Sequence, residues 1–244
     1  MSGTTPKGIT DERQASAWVR GMFGQVAGRY DLLNHLLSFN LDRLWRARTV
    51  RKVAPILADP KARVLDLCCG TGDLMLGLEN RRGAAVIGAD FCHPMLVEAQ
   101  RKVTQGGKRS VLFEGDAMEL PLASGALDLV TCAFGFRNFV NYEAGLVELA
   151  RVLKPGGTLA ILEFSQPGNR LFAGFYDWFS LQVLPWVGGL ISGSSDAYAY
   201  LPASIRKFPN AEGLAAKMRE AGFHDVEFER MTFGAVALHV GRRG

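Results

Sequence analysis

The stretch Ala62-Arg63-Val64-Leu65-Asp66-Leu67-Cys68-Cys69-Gly70-Thr71-Gly72-Asp73 decides the fold. Ala62–Leu67 is a short apolar run, and a run of this kind ending in Gly-x-Gly reads as a buried strand turning sharply into a helix. Gly70 and Gly72 permit the tight turn and let a ligand approach the backbone closely. Outward from this unit, strands and helices alternate. Ala85–Ala89 reads as a second strand ending at Asp90, Ser110–Glu114 as a third ending near Asp116, Leu127–Phe134 as a fourth and Thr158–Phe164 as a fifth. Helical patterns fall between most of them, over Asp73–Asn80, Met95–Lys102 and Tyr142–Leu153, the last stopped by Lys154-Pro155-Gly156-Gly157. Apolar strands alternating with helices predict an α/β architecture whose parallel sheet is covered on both faces. Asp225–Met231 and Ala235–Gly241 flank Thr232-Phe233-Gly234 and predict an antiparallel hairpin at the end of the chain.

Upstream of the first strand the periodicity is helical. Trp18, Met22, Phe23 and Val26, then Leu33, Leu37, Leu41 and Leu44–Trp45, recur at helical spacing and predict two or three helices. The polar first residues, Met1 to Glu12, have no basic stretch followed by an apolar core and read as a frayed tail rather than a signal peptide. The apolar stretch Leu171 to Gly193 contains Asp177, Gln182 and Pro185, which argues against a membrane span. The organisation expected is one domain over 1–244, with a flexible start over 1–20, a helical cap over about 18–60 and a helical insertion over about 168–208.

Composition narrows the function. The chain has 244 residues, 48% hydrophobic and 21% charged, which excludes disorder. The 28 Lys and Arg against 24 Asp and Glu leave a net charge of +4, mild enough to suit an anionic membrane surface or an acidic cofactor without singling out nucleic acid. Cys68, Cys69, Cys92 and Cys132 form no Cys-x-x-Cys pair, so neither a disulfide framework nor a zinc site is expected, and a reducing, cytoplasmic setting is the default. His35, His93, His224 and His239 show no metal spacing.

Three acids close successive strands: Asp66, Asp90 and Asp116. Asp90, at the end of the second strand, stands where a carboxylate accepts both ribose hydroxyls of a nucleotide. A dinucleotide turn wants Gly or Ala three residues after the second glycine, and that position is Met75. Asp66 would repel a pyrophosphate but pair with an α-amino group. The combination fits S-adenosylmethionine, which carries an amino group and a sulfonium and no phosphate. Asp116 is then placed for the adenine amino group. Met75 and Asp66 together speak against an NAD-dependent oxidoreductase. As helix caps, one such Asp would be ordinary; three around a glycine turn are not.

The chain resembles the class I S-adenosylmethionine-dependent methyltransferases, and within them the family that C-methylates menaquinone and ubiquinone precursors. The resemblance runs from about Phe23 to Arg242. It is carried by Tyr30-Asp31-Leu32-Leu33-Asn34 through Ser38 to Arg43-Leu44-Trp45, by Phe134-Gly135-Phe136-Arg137-Asn138, by Arg151-Val152-Leu153-Lys154-Pro155-Gly156-Gly157 through Leu162-Glu163-Phe164-Ser165, and by Ser204-Ile205-Arg206-Lys207-Phe208-Pro209. It implies a seven-stranded, mostly parallel, Rossmann-like sandwich closed by the antiparallel hairpin. It implies cofactor contacts at Thr71, Asp90, Asp116 and Ala117, and one through the backbone at Ala133, where the family often has serine. Asp42 stands where the first signature usually has histidine, and Cys92 where the third helix is usually capped by Ser or Asn.

The implied reaction methylates a ring carbon of demethylmenaquinol; the benzoquinol of ubiquinone synthesis is the alternative, and a non-catalytic cofactor-binding subunit a third. Such chemistry needs a developing phenolate stabilised. Arg137, just past the fourth strand, is the candidate for that, with Asn138 and Tyr30 orienting the group. A surface salt bridge is the bland alternative for Arg137, and lid packing for Tyr30. Phe172, Phe175, Tyr176, Phe179, Val183, Trp186 and Val187 predict either a core helix or a roof for the prenyl tail. No metal is expected. The partners expected are the prenylated quinol, a membrane surface met peripherally, and a second copy or a quinone-synthesis complex.

Overall fold

The computed structural model describes residues 3, 6, 8–167 and 195–244. The N-terminal pattern resolves into four helices: α1 (Glu12–Val26), α2 (Tyr30–Leu37), α3 (Leu41–Lys52) and α4 (Ala54–Leu57). The first begins inside the stretch expected to be frayed. Asp11 is the reason: its side chain accepts from the Gln14 N–H at 2.8 Å and satisfies one of the free donors of the first turn. The apolar stripe of α1 buries Ala15, Val19, Met22 and Val26.

The sheet follows, with β1 (Val64–Leu67), α5 (Asp73–Arg82), β2 (Ile87–Asp90), α6 (His93–Gln105), β3 (Val111–Glu114), β4 (Leu127–Ala133), α7 (Tyr142–Val152) and β5 (Leu153–Phe164). After residue 194 come α8 (Ser195–Lys207), α9 (Ala211–Glu220), β6 (Phe223–Met231) and β7 (Val236–Arg243). The strand order is β3-β2-β1-β4-β5-β7-β6. All pairings from β3 to β5 are parallel, and β7 runs antiparallel to both β5 and β6. The seven-stranded, mostly parallel sheet with a closing hairpin is therefore as the sequence implied.

Both faces are covered, as a parallel sheet requires. On one, Leu65, Leu67, Val130 and Cys132 pack with Leu146, Leu149 and Leu214 from α7 and α9. On the other, Val64, Leu129 and Ala160 pack with Trp45, Leu74, Met75 and Leu78 from α3 and α5. Lys154-Pro155-Gly156-Gly157 ends α7 as expected but already lies in β5. Gly156 at φ +77° and a register shift between Leu127 and Leu129 mark the irregularity there. The hairpin turn takes Thr232, Phe233 and Gly234 through positive φ, and Trp45 Nε1 donates to Thr232 Oγ1 at 2.9 Å, tying the cap to the last hairpin.

Candidate active site

The strand order reverses between β1 and β4: the chain steps outward one way through β2 and β3 and then the other way through β4 and β5. A crevice opens at the carboxyl ends of the strands at such a switch point. Here it is an open cleft enclosing about 710 Å³ of space, part of it continuous with solvent. Its walls come from the cap (Phe23, Tyr30), the glycine turn (Cys68, Gly70), the end of β2 (Asp90, Phe91), the Gly115–Met118 turn and the stretches Ala133–Gly135 and Asn138–Val140.

Seven of the sequence-derived candidates meet in this one cleft: Tyr30, Gly70, Asp90, Asp116, Ala117, Ala133 and Asn138. Asp90 is buried, and its oxygens accept the Gly70 and Cys92 N–H groups, each at 2.9 Å. The carboxylate thus ties the glycine turn to the start of α6. Burial pushes its pKa up, against those hydrogen bonds. Each oxygen retains a lone pair for a ligand hydroxyl. Asp116 is exposed and folds back onto the Met118 N–H at 2.9 Å. Gly70 adopts φ +54°, and a Cβ there would stand 3.8 Å from the Tyr30 ring, so the tyrosine lies against the turn. Burial raises the Tyr30 phenol above its ordinary pKa, so it is a neutral O–H at pH 7.

The other four candidates do not line the cleft, and each has a physical reason. Thr71 is buried and spends its hydroxyl on Asp31 of α2, while Lys102 Nζ reaches Thr71 Oγ1 at 3.2 Å and Asp73 at 2.6 Å. Gly72 turns the chain into α5 at φ +88°. Asp66 falls on the opposite sheet face from Leu65 and Leu67. It is 1% exposed, and Oδ1 accepts from Thr131 Oγ1 at 2.6 Å while Oδ2 has no partner. Burial pushes its pKa up to about 7.

Arg137 is no surface salt bridge. It is 4% exposed, Nη1 lies 3.0 Å from Glu163 Oε1, and the same nitrogen donates to the Phe134 carbonyl. The guanidinium carbon stands 5.4 Å from the Phe164 ring centroid. Burial opposes its charge, but the Glu163 carboxylate beside it outweighs burial and raises its pKa.

Three groups escaped the sequence reading. Glu163 accepts the Arg137 N–H at 3.1 Å as well as its guanidinium, and so clamps the turn Phe136–Asn138. Its signal was a single carboxylate in the otherwise apolar run Thr158–Phe164. Tyr200 donates to Asn138 Oδ1 at 3.1 Å; nothing in its local pattern marks it. Asp31 joins α2 to the glycine turn. Asp42, the departure from the usual histidine, is explained: it accepts from Ser38 Oγ at 2.8 Å, faces His35 Nδ1 at 2.8 Å and pairs with Arg46. Cys92 makes no cap bond, and its thiol turns to the Arg20 carbonyl instead. The aromatic residues between Phe172 and Val187 lie outside the described residues.

A family model described as the ubiE/COQ5 methyltransferase family matches residues 9–243. The chain belongs to the ubiE/COQ5 methyltransferase family. It is 52% identical over 225 residues to the demethylmenaquinone methyltransferase of Thermus thermophilus, a match spanning 91% of this chain and 100% of that one. It is 43% identical to the demethylmenaquinone methyltransferase of Deinococcus radiodurans, over 96% and 95% of the two chains. It is also 43% identical to a ubiquinone/menaquinone biosynthesis C-methyltransferase of Syntrophotalea carbinolica, over 92% and 93%. Among solved structures, a S-adenosylmethionine-dependent methyltransferase of Thermotoga maritima superposes with TM-score 0.65 at 18% identity, over 92% of this chain and 99% of that one. The [4+2]-cyclase SpnF superposes with TM-score 0.68 at 17% identity, over 98% and 99%. These likenesses establish the fold. That a cyclase shares it shows why the activity of this ubiE/COQ5 family member must be argued from its site.

Proposed function

We propose that the protein transfers the methyl group of S-adenosylmethionine to a ring carbon of demethylmenaquinol, giving menaquinol and S-adenosylhomocysteine. The observation that carries this reading is the convergence of Asp90, Tyr30 and Asn138 on one cleft at the switch point, in a chain 52% identical to a named demethylmenaquinone methyltransferase. The cleft fits the methyl donor. Asp90 is a fixed acceptor for the ribose hydroxyls, the turn at Asp116 and Ala117 flanks the adenine, and Ala133 offers its backbone. Asp66, buried behind the cleft wall rather than lining it, is matched in charge to the α-ammonium. Thr71 and Gly72 support the turn from behind.

S-adenosylmethionine supplies an electrophilic methyl on a sulfonium. The protein must hold the ring carbon in line with it, and such positioning can supply on the order of 7–11 kcal/mol. It must also favour the phenolate that makes the ring carbon nucleophilic. The buried Arg137 charge does this through the field rather than by contact, and the Asn138 amide does it by contact. The quinol hydroxyl gives up its proton, the ring carbon takes the methyl, and the ring hydrogen moves to oxygen as aromaticity returns. One proton is released overall.

The chemistry calls for no metal. His35, Asp42 and Asp73 are the described groups spaced to hold one, and Arg46 and Lys102 already neutralise their carboxylates. The whole chain acts as one methyltransferase domain with the cap over about 18–60 and the insertion over about 168–208. No helix among the described residues is long and apolar enough to cross a membrane. Leu32, Leu36, Phe39 and Leu44 on the cap are 49–73% exposed, which supports peripheral contact with the cytoplasmic membrane surface where a prenylated quinol resides. The aromatic insertion would roof the tail: replacing Phe175 or Phe179 by Ser should then impair a long-tailed quinol far more than a short-tailed one.

The test is turnover by the purified protein with the donor and, in parallel, demethylmenaquinol, demethylmenaquinone and the prenylated benzoquinol. Methylation of the reduced naphthoquinol alone is expected. Turnover of the benzoquinol only would move the protein to the ubiquinone pathway. Donor binding without turnover of any quinol would make it a non-catalytic subunit.

A further inference from the structure

Among the described residues that line the cleft, Asn138 is the one whose function depends on which way a symmetric-looking group is turned. Its amide offers a carbonyl oxygen on one side and two N–H donors on the other. Turned one way it stabilises a phenolate. Turned the other way it repels one and holds the hydroxyl protonated instead. The backbone beneath it is fixed independently: Glu163 accepts the Arg137 N–H at 3.1 Å, and Tyr142 Oη donates to the Arg137 carbonyl at 3.1 Å. What remains free is the side-chain amide.

Tyr200 removes that freedom. Its O–H donates to Asn138 Oδ1 at 3.1 Å across 62 residues of sequence. It is 6% exposed, and its ring packs at 5.3 Å against Trp18 of α1, so the phenol is held from both sides. Burial pushes its pKa up to about 12, which keeps the proton on the phenol at any working pH. With the carbonyl oxygen engaged towards α8, the amide nitrogen is left for the cleft that Asn138 lines.

We infer that Tyr200 is a positioning residue that presents the N–H donors of Asn138 to the quinol oxygen, so that the ionised quinol is favoured over the neutral one. The inference rests on the methyl-transfer reading above. It assigns Tyr200 no contact with the substrate; its effect passes through Asn138.

The test is Tyr200→Phe, which removes one oxygen and keeps the ring. At pH 7 kcat should fall about tenfold, the scale of losing one hydrogen bond to a charged group. The rising limb of kcat against pH should move upward by about one pH unit, so that most activity returns at alkaline pH. Donor affinity by calorimetry and melting temperature should stay close to those of the unaltered protein. Asn138→Asp keeps the shape but has no N–H donor, so in that background Tyr200→Phe should cost nothing further. An unmoved pH profile, or an additive double variant, would overturn the inference while leaving the function intact. A parent protein that binds the donor yet methylates no quinol would overturn both, and the two failures are told apart by that control.

Discussion

Replacing Asp66 by Asn separates stability from cofactor binding, with opposite signs. The carboxylate is 1% exposed, Oδ1 accepts from the Thr131 hydroxyl, and Oδ2 makes no full hydrogen bond, so that the Met75 N–H and the Arg46 charge only partly offset burial. Burial places its folded pKa at about 7 against an ordinary 3.8. The folded state therefore binds a proton more tightly than the unfolded chain. Linkage then gives the sign: the contribution to stability is fully present below pH 3.8 and is lost as the pH rises to about 7. At about 1.36 kcal/mol per pH unit the loss is roughly 4 kcal/mol, an order-of-magnitude figure. Asn mimics the protonated acid and has no such dependence. Denaturant unfolding of the donor-free proteins at pH 4 to 8 should show similar stabilities at the acid end. At pH 8 the variant should be more stable by several kcal/mol. Calorimetry with S-adenosylmethionine should show the reverse, because the variant no longer offers a carboxylate to the α-ammonium. Affinity of the unaltered protein should rise from pH 5.5 to 7, and that of the variant should stay flat. Parallel stability curves would mean that Asp66 titrates as an ordinary carboxylate. Unchanged affinity at pH 8 would refute the ammonium contact.

The remaining predictions use the same measurements. His239 is buried with its Nε2 2.8 Å from the Ala211 carbonyl, and burial lowers its pKa to about 4 from 6.5. Its contribution is present above pH 6.5 and lost as the pH falls towards 4, so His239→Gln should flatten the acid limb of the stability curve by roughly 3 kcal/mol. Arg137→Ala strands the buried Glu163 and should destabilise by about 3–5 kcal/mol. Arg137→Met combined with Glu163→Gln should recover most of that stability while turnover stays down about a hundredfold or more; recovered turnover would show the Arg137 charge to be structural alone. Asp90→Ala should weaken donor binding at least about tenfold, since each charge-assisted bond is worth roughly 1.5–3 kcal/mol. Unchanged calorimetric affinity would remove the ribose from Asp90.

What was legible in the sequence was local. Strand ends, the glycine turn and the hairpin depend on periodicity and on residues within a few positions of one another. Hence Asp90, Gly70 and Asp116 could be placed in one cleft before the fold was known. Boundaries slipped where tertiary contacts decide them: β2 ends at Asp90 as expected but starts at Ile87 rather than Ala85, because its pairing with β1 and β3 begins at Ile87, opposite Leu65 and Val111. The expectation for Arg137 failed to foresee its burial for a different reason. Its partner Glu163 lies 26 residues away on the neighbouring strand, and no local pattern joins them. Tyr200 and Asn138, separated by 62 residues, are further out of reach.

The same division has a consequence for how the site is held. The groups proposed to touch the donor sit at strand ends, where the sheet fixes them. The groups proposed to act on the quinol are held by elements outside the sheet. Tyr30 belongs to α2, and α2 is fastened to the glycine turn through Asp31, which accepts from Thr71 and pairs with Lys102 of α6. Lys102 in turn pairs with Asp73, the first residue of α5. Asn138 accepts from Tyr200 of α8, which packs on α1 through Trp18. Cap and α8 therefore meet across the cleft that the sheet opens. A donor settling on the glycine turn would bear on the Thr71 backbone, and through Asp31 on the helix that carries Tyr30. On the proposed reading, donor binding and the placement of Tyr30 are joined through Asp31, while Asn138 is held separately by the Tyr200 hydroxyl.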